Sequence, residues 1–193
     1  MVVPVLLSIL CLAGLVAAAL HPFGQGWDVV ALSALLASLW LLVRAWRNRI
    51  HWVVVDGSNV LHWRDNRPDP APLRAVLATL RRKGWRPVVI FDANAGFKIA
   101  GRHMGDVALA RLIDLPPRQV ALVPSGQPAD PTILRTARDL KAPIVTNDRY
   151  RDWMADFPEV RRPGTLIPGR YADGVVTLDL RRPRGGGKRR GKG

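Results

Sequence analysis

The chain has 193 residues, enough for one ordinary domain with appendages, and it carries a formal net charge of +14. Residues 1–50 contribute +2 and residues 181–193 contribute +7, which leaves +5 for residues 51–180. This basic excess favours a polyanionic partner. The single cysteine, Cys11, excludes a disulfide framework and a cysteine-based zinc site.

Two hydrophobic segments begin the chain. The first, Val2–Leu20, has no charge and is long enough to cross a hydrocarbon core, and the second has an uncharged core at Val29–Val43. Three arginines follow it: Arg44, Arg47 and Arg49. We predict a membrane anchor of two transmembrane helices over residues 1–47. By the positive-inside rule, both termini then face the cytoplasm. A signal peptide cleaved at Ala17–Ala19 is the alternative, which the absence of a basic n-region disfavours.

Residues 48–180 alternate between strand and helix patterns. Apolar β-branched runs predict strands at 51–56, 86–91, 119–123 and 143–146. Helices are predicted from Asp69-Pro70 to Gly84, at 106–112, after an N-cap at Asp130, and at 149–155. Residues 165–167 and 175–178 form a final hairpin or edge strands. The alternation predicts an α/β fold, a three-layer sandwich with a mainly parallel sheet. Residues 181–193 are predicted to be disordered.

Five aspartates lie close to the predicted strand ends and helix starts. They are Asp56, Asp92, Asp130, Asp148 and Asp152. The carboxyl ends of strands in an open α/β sheet form the edge at which ligands bind. Carboxylates crowded there repel one another unless a hard cation lies among them. The spacing therefore indicates a metal, and the metal indicates phosphate chemistry.

Three segments resemble a known family. VVVDGSNVLHW, VVIFDAN and VPSGQPADPTILRTARDLKAPIVTNDRYRDW are similar to the NYN domain, a PIN-like ribonuclease, and closest to the Regnase type that accompanies a CCCH zinc finger. The resemblance covers residues 51–160. It implies a PIN-like, Rossmann-like sheet, a pocket for Mg²⁺ or Mn²⁺, and cleavage of single-stranded RNA. By motif, the acidic site would comprise Asp56, Asp130, Asp148 and Asp152, with Asn59 supporting Asp56.

The resemblance has departures. Ala129 precedes Asp130 where relatives often have a second acid, and the chain has no zinc finger. Asp92 fits the acidic position that many PIN-like domains place after the second strand. The predicted anchor and the arginine-rich composition favour a bacterial protein, with its catalytic domain on the cytoplasmic side of the inner membrane. PIN-like domains often dimerise, which makes a homodimer an expectation of the family alone.

The predicted reaction is hydrolysis of RNA by metal-activated water, which leaves a 5′-phosphate and a 3′-hydroxyl. Asp56 and Asp148 are the expected direct metal ligands, with Asp130 and Asp92 as further ligands. Asp152, one helical turn after Asp148, holds a second metal or acts through water. A basic and aromatic rim is expected to bind RNA. It comprises Trp63, Arg64, Lys98, Arg102, Arg149 and Arg151.

Structural alternatives stay open for these residues. Asp130 and Asp148 could serve only as helix caps, Asp152 only as a surface ion pair, and Asp92 only as a turn residue. The main functional hypothesis is a membrane-anchored endoribonuclease. Its rival is a catalytically weak module that tethers RNA to the membrane, and a DNA nuclease of the flap-endonuclease type ranks last. The basic tail contacts RNA or anionic lipid, or only solubilises the chain.

Overall fold

The computed structural model of the chain describes residues 5–6, 9–14, 16, 27–47 and 50–180. The chain divides into two compact units, with the boundary between Ile50 and His51. In the first unit, the described positions up to residue 16 are helical, and helix α1 spans Trp27–Arg47. Within that unit, Cys11 Sγ lies 3.6 Å from Ser38 Oγ.

The predicted pair of transmembrane helices is not supported. Part of the first predicted segment and the link after it lie outside the described residues. In the part of the chain that is described, no helix is both long and apolar enough to cross a membrane. The uncharged core of α1, Val29–Val43, extends about 22 Å, which is less than the ~30 Å of a hydrocarbon core. The predicted location and orientation at a membrane stay predictions.

The second unit is built on a five-stranded sheet. Its strands are β1 (His51–Asp56), β2 (Trp85–Phe91), β3 (Val120–Leu122), β4 (Ile144–Val145) and β5 (Leu166–Ile167). They are arranged in the order β3-β2-β1-β4-β5, and every neighbouring pair is parallel. The prediction of a mainly parallel sheet is confirmed. The strand order reverses between β1 and β4, which is where open α/β sheets form a crevice for ligands.

Five helices accompany the sheet in this unit. They are α2 (Gly57–Leu61), α3 (Pro70–Arg82), α4 (Ala95–Ala100), α5 (Asp106–Leu112) and α6 (Asp130–Leu140). The predicted start of α3 is confirmed, because Asp69 caps it by accepting a hydrogen bond from the Ala71 amide at 2.8 Å. The sequence did not predict α2 and α4, which are too short to show a helical period. Short 3₁₀ helices span Pro117–Gln119, Arg151–Trp153 and Pro158–Arg161.

Helices cover both faces of the sheet. Along β1, Val53 and Val55 pack into one fully buried cluster together with the apolar side of α3. Val54, which points to the opposite face, packs into a second cluster with Ile133 and Leu134 of α6. Continuous burial on both faces explains why β1 is an unbroken apolar run. The second unit is a three-layer α/β/α sandwich, as predicted.

The chain after β4 departs from the predicted elements. A helix over residues 149–155 was expected, but Tyr150 adopts a left-handed conformation (φ 48°, ψ 44°), and only a 3₁₀ turn at Arg151–Trp153 follows it. Beyond β5, strands β6 (Gly169–Ala172) and β7 (Val175–Leu178) pair antiparallel as a separate hairpin. Residues 181–193 lie outside the described residues, so their disorder stays a prediction.

Candidate active site

Asp56 is the central side chain of the candidate site. It ends β1 and is only 6% exposed. Its Oδ1 accepts a hydrogen bond from the Asn59 amide at 3.0 Å, which caps α2. Its Oδ2 accepts hydrogen bonds from Thr146 Oγ1 at 3.1 Å and from Tyr150 OH at 3.0 Å. The carboxylate is therefore fixed by its own helix and by the segment that follows β4.

Gly57 explains why a glycine follows this aspartate. A Cβ at this position would lie 2.6 Å from Phe91 Cε1 and 2.8 Å from Val89 Cγ1, both in the buried core. Real side chains do not approach so closely, so any larger residue would displace α2 from β2. The glycine lets the backbone turn tightly against the sheet and keeps Asp56 at the strand end.

Burial makes ionisation of Asp56 costly. Desolvation raises the pKa of Asp56 from 3.8 to about 6, and repulsion from the Asp130 carboxylate adds to the increase. The hydrogen bonds from Asn59, Tyr150 and Thr146 act in the opposite direction, because they stabilise the charged form. Near neutral pH, Asp56 is thus an anion with little hydration, close to other anions.

Asp130 lies near Asp56 at the beginning of α6. It is the first residue of the helix, with Ala129 at the N-cap, so its predicted role as N-cap is wrong. Its Oδ2 instead accepts a hydrogen bond from Trp153 Nε1 at 3.2 Å. Burial and the charges of Asp148 and Asp152 raise the pKa of Asp130, while the bond from Trp153 lowers it. Through these interactions Asp56, Asp130, Asp148 and Asp152 form one acidic cluster.

Asp148 and Asp152 are the exposed members of this acidic cluster. Asp148 Oδ1 accepts hydrogen bonds from the amides of Arg149 (2.5 Å) and Tyr150 (3.0 Å), but Tyr150 and not Asp148 is the N-cap of the 3₁₀ turn that follows, so the alternative role of Asp148 as a helix cap is wrong. Its own amide donates to Thr146 Oγ1 at 3.0 Å. Asp152 lies in the 3₁₀ turn, and the predicted helical spacing between these two acids is wrong because Tyr150 interrupts the helix.

Asp92 has different partners from the other four aspartates. Its Oδ2 lies 2.8 Å from Lys98 Nζ, and its Oδ1 accepts a hydrogen bond from the Asn94 amide at 3.0 Å. Its backbone amide donates to Ser58 Oγ at 2.9 Å. Asp92 therefore lies in a turn, as the structural alternative expected. Its carboxylate also forms an ion pair with Lys98, and its role as a metal ligand stays a prediction.

Two asparagines connect the elements around the site. Asn59 Oδ1 accepts hydrogen bonds from the Asn147 amide at 3.0 Å and from Trp63 Nε1 at 2.9 Å. Asn147 in turn bonds to both backbone groups of Gly169, at 3.0 Å each. Asn59 therefore supports the scaffold next to Asp56, and its own side chain holds the segment after β4. Sequence analysis missed Thr146, Asn147 and Tyr150, although all three lie within or next to the TNDRY motif.

The predicted RNA-binding residues divide into two groups. Trp63 is partly buried, and one edge of its ring lies so close to Gly169 that a Cβ there would be 2.5 Å from Trp63 Cη2, while its contact with RNA stays a prediction. Arg64 Nη1 lies 3.1 Å from Asp69 Oδ2, and Lys98 pairs with Asp92. Arg102, Arg149 and Arg151 are exposed, and their contact with RNA stays a prediction.

The predicted metal ligands are not gathered into a preformed site. Within the described residues, no three His, Cys, Asp or Glu side chains lie together in a way that could hold a metal ion. Two of the predicted ligands have protein partners, since Asp148 Oδ1 accepts from the Tyr150 amide and Asp92 pairs with Lys98. The donor chemistry nevertheless suits a hard cation, because Asp56, Asp130 and Asp148 supply carboxylate oxygens that repel one another.

The fold and the acidic cluster define a class of protein. An open parallel sheet has a buried aspartate at its switch point, and further carboxylates lie at the start of α6 and in the segment after β4. Residues 49–166, more than half of the chain, match the sequence pattern of the Zc3h12a-like ribonuclease NYN domain. The chain belongs to this family, and the resemblance found in the sequence is confirmed.

One solved structure supports the fold. The nuclear proteinaceous RNase P 2 from A. thaliana superposes with a TM-score of 0.53 at 16% identity, over 91% of this chain and 36% of that chain. A second structure of the Arabidopsis thaliana nuclear protein-only RNase P 2 has a TM-score of 0.48 at 18% identity, over 81% and 36%. The chain thus spans about a third of their length, and the first likeness shows the fold alone. No curated protein matches the sequence.

Proposed function

We propose that this chain is a divalent-metal-dependent ribonuclease that cleaves RNA internally. The observation that carries the proposal is the buried Asp56 at the switch point, with the charges of Asp130, Asp148 and Asp152 acting around it. Membership of the ribonuclease NYN family supports it. A cluster of anions costs stability, and its presence at the ligand-binding edge of the sheet favours a functional role.

Each residue of the cluster has a distinct proposed role. Asp56, Asp130 and Asp148 would hold the Mg²⁺ or Mn²⁺ ion. When bound, such an ion lowers the pKa of a water ligand and neutralises charge on the phosphate. Thr146 and Tyr150 keep the Asp56 carboxylate in one orientation through their hydroxyl groups. Because water is the proposed nucleophile, the expected products carry a 5′-phosphate and a 3′-hydroxyl.

The exposed residues around the cluster would contact the substrate. Arg149 and Arg151 flank the left-handed Tyr150, and both are exposed next to Asp148 and Asp152. Guanidinium groups at these positions can neutralise substrate phosphates and bring the backbone to the carboxylates. Asp152 is exposed at the rim, where it can accept a proton through water.

One experiment tests the enzymatic proposal directly. The purified full chain is incubated with end-labelled single-stranded RNA in Mg²⁺, in Mn²⁺ or in EDTA, beside the Asp56→Asn and Asp130→Asn variants. Asp92→Asn is the matched control, because it removes one carboxylate from outside the cluster. We expect internal fragments that require the metal, that both cluster variants lose, and that the control retains. Fragments that persist in EDTA would contradict the proposal.

A second candidate is an RNA-binding module without catalysis. The observation that favours it is the absence, among the described residues, of three acidic or histidine side chains gathered as metal ligands. This candidate predicts that RNA shifts in a binding assay yet stays intact with every metal. In the same experiment, cleavage by the wild-type chain that Asp56→Asn abolishes would exclude it.

A further inference from the structure

A cavity opens at the end of the sheet opposite the acidic cluster. Its volume is about 360 Å³, within the range of pockets that bind small ligands. It is lined by Trp52, Arg86, Val88, Arg118, Gln119 and Leu140. Trp52 precedes Asp56 by four residues on β1, which places it about 13 Å away along the strand. Trp52 and Leu140 both pack against the apolar cluster on the α6 side of the sheet.

The cavity carries two arginines without acidic partners. Within residues 50–180, neither Arg86 nor Arg118 forms an ion pair with an aspartate or glutamate, and both are exposed. The Arg86 guanidinium lies over the Trp52 ring, 5.4 Å from its centroid. Because Trp52 packs on the core, it holds this guanidinium as a flat cationic surface rather than a freely moving charge.

The cavity wall is fixed by a buried polar contact. Gln119 is 8% exposed, and its Nε2 donates a hydrogen bond to the Pro87 carbonyl at 2.9 Å. This bond connects the Pro117–Gln119 turn, which carries Arg118, to strand β2, which carries Arg86. The two cationic side chains therefore extend from backbones that are joined to each other, and little ordering is needed to present both to one ligand.

We propose that this cavity binds a nucleotide unit of single-stranded RNA, as a second site remote from the acidic cluster. Arg86 and Arg118 contact a phosphate, and the base stacks on the guanidinium plane that Trp52 supports. The inference rests on RNA being the partner of this chain, as in the proposed function. An RNA that occupies both sites must span at least about 13 Å, or roughly four stacked nucleotides at ~3.4 Å each. Binding at this cavity therefore lengthens the stretch of RNA that the chain contacts beyond the acidic cluster.

The test measures RNA affinity without cleavage. A fluorescent 12-nucleotide single-stranded RNA is titrated with the full chain in EDTA, and its anisotropy gives the Kd at several salt concentrations. The variant carries Arg86→Gln and Arg118→Gln together. Arg82→Gln is the matched control, because Arg82 ends α3 on the opposite face of the sheet. We expect the double variant to bind about tenfold more weakly. The slope of log K against log salt should fall by about 0.7 for each phosphate that the variant no longer binds.

Several results would overturn this proposal. They are an unchanged Kd for the double variant, an equal loss of affinity for Arg82→Gln, or a wild-type chain that does not bind the RNA. Vesicles that contain phosphatidylglycerol provide a second arm. If the double variant loses vesicle binding but keeps its RNA affinity, the cavity faces anionic lipid and the RNA assignment is wrong. Thermal melting of each variant establishes that it is folded.

Variants of Trp52 test the stacking separately. Trp52→Phe keeps a ring beneath Arg86, and we expect it to retain most of the affinity. Trp52→Leu removes the ring, and we expect the affinity to fall about fivefold or more. Equal affinities for the two folded variants would contradict the stacked arrangement, and the arginine variant still decides if Trp52→Leu does not fold. Cleavage in Mn²⁺ is scored independently, so a chain that binds RNA through this cavity without cleaving it overturns only the proposed enzymatic function.

Discussion

Replacing Asp56 by asparagine should stabilise the protein at high pH when no divalent cation is present. The asparagine keeps the size of the side chain and an acceptor for the Asn59 amide. It removes a charge on a residue that is only 6% exposed, and it also removes the repulsion between Asp56 and Asp130. The substitution thus separates the electrostatic cost of the carboxylate from its role in packing.

The size and sign of the effect follow from the raised pKa. A pKa raised from 3.8 to about 6 corresponds to about 3 kcal/mol in the free energy of unfolding. Because the folded state binds this proton more tightly than the unfolded state, the stabilisation is fully present below pH 3.8. It is lost as the pH rises through about 6. Asp56→Asn has no carboxyl group to titrate, so its stability relative to the wild type should increase as the pH rises.

Thermal melting in EDTA at pH 4 and at pH 8 measures this difference. We expect similar melting temperatures at pH 4, and at pH 8 a variant that melts roughly 6–12 °C above the wild type, at about 2–4 °C per kcal/mol. Asp92→Asn is the control, since Asp92 lies in a partly exposed ion pair that contributes less than about 1 kcal/mol. A difference between Asp56→Asn and wild type that is the same at both pH values would refute the reasoning.

Three further predictions concern the same region. Mn²⁺ at about 100 times its Kd should stabilise the wild type against unfolding by about 2.7 kcal/mol and Asp56→Asn by much less. Thermal melting measures this stabilisation, and an equal increase in both proteins would exclude Asp56 as a ligand. Tyr150→Phe removes the hydroxyl that donates to the ionised Asp56 carboxylate. Urea denaturation should therefore show a free energy of unfolding lower by about 1.5–3 kcal/mol at pH 8 and a smaller decrease at pH 4. Equal decreases at the two pH values would contradict this reasoning. Trp63→Phe should lower the free energy of unfolding by about 1 kcal/mol, because the variant has no donor for Asn59 Oδ1. RNA affinity measured by anisotropy should stay unchanged, and a weaker affinity would indicate that Trp63 contacts RNA.

Local sequence patterns were sufficient for the framework of the second unit. The apolar run at 51–56 predicted β1 because a strand buried on both faces is a continuous apolar segment without polar alternation. Asp69 followed by Pro70 predicted the start of α3, since a cap and a preset φ angle act over adjacent residues. The positions of the acids predicted a cluster of five carboxylates, and the family resemblance implied the four that interact electrostatically, Asp56, Asp130, Asp148 and Asp152.

The sequence by itself thus determined the alternating elements, the family and the acidic cluster, all of which depend on neighbouring residues or on the order of motifs along the chain. The tertiary structure alone decided how each carboxylate is used. Tyr150 reaches Asp56 across 94 positions of the chain, through a left-handed turn that no local period reveals. Trp63 has a packing contact that the sequence did not predict, because Gly169 approaches the edge of its ring from a distant hairpin. Such contacts depend on strand register and backbone direction, which are fixed only when the sheet is assembled.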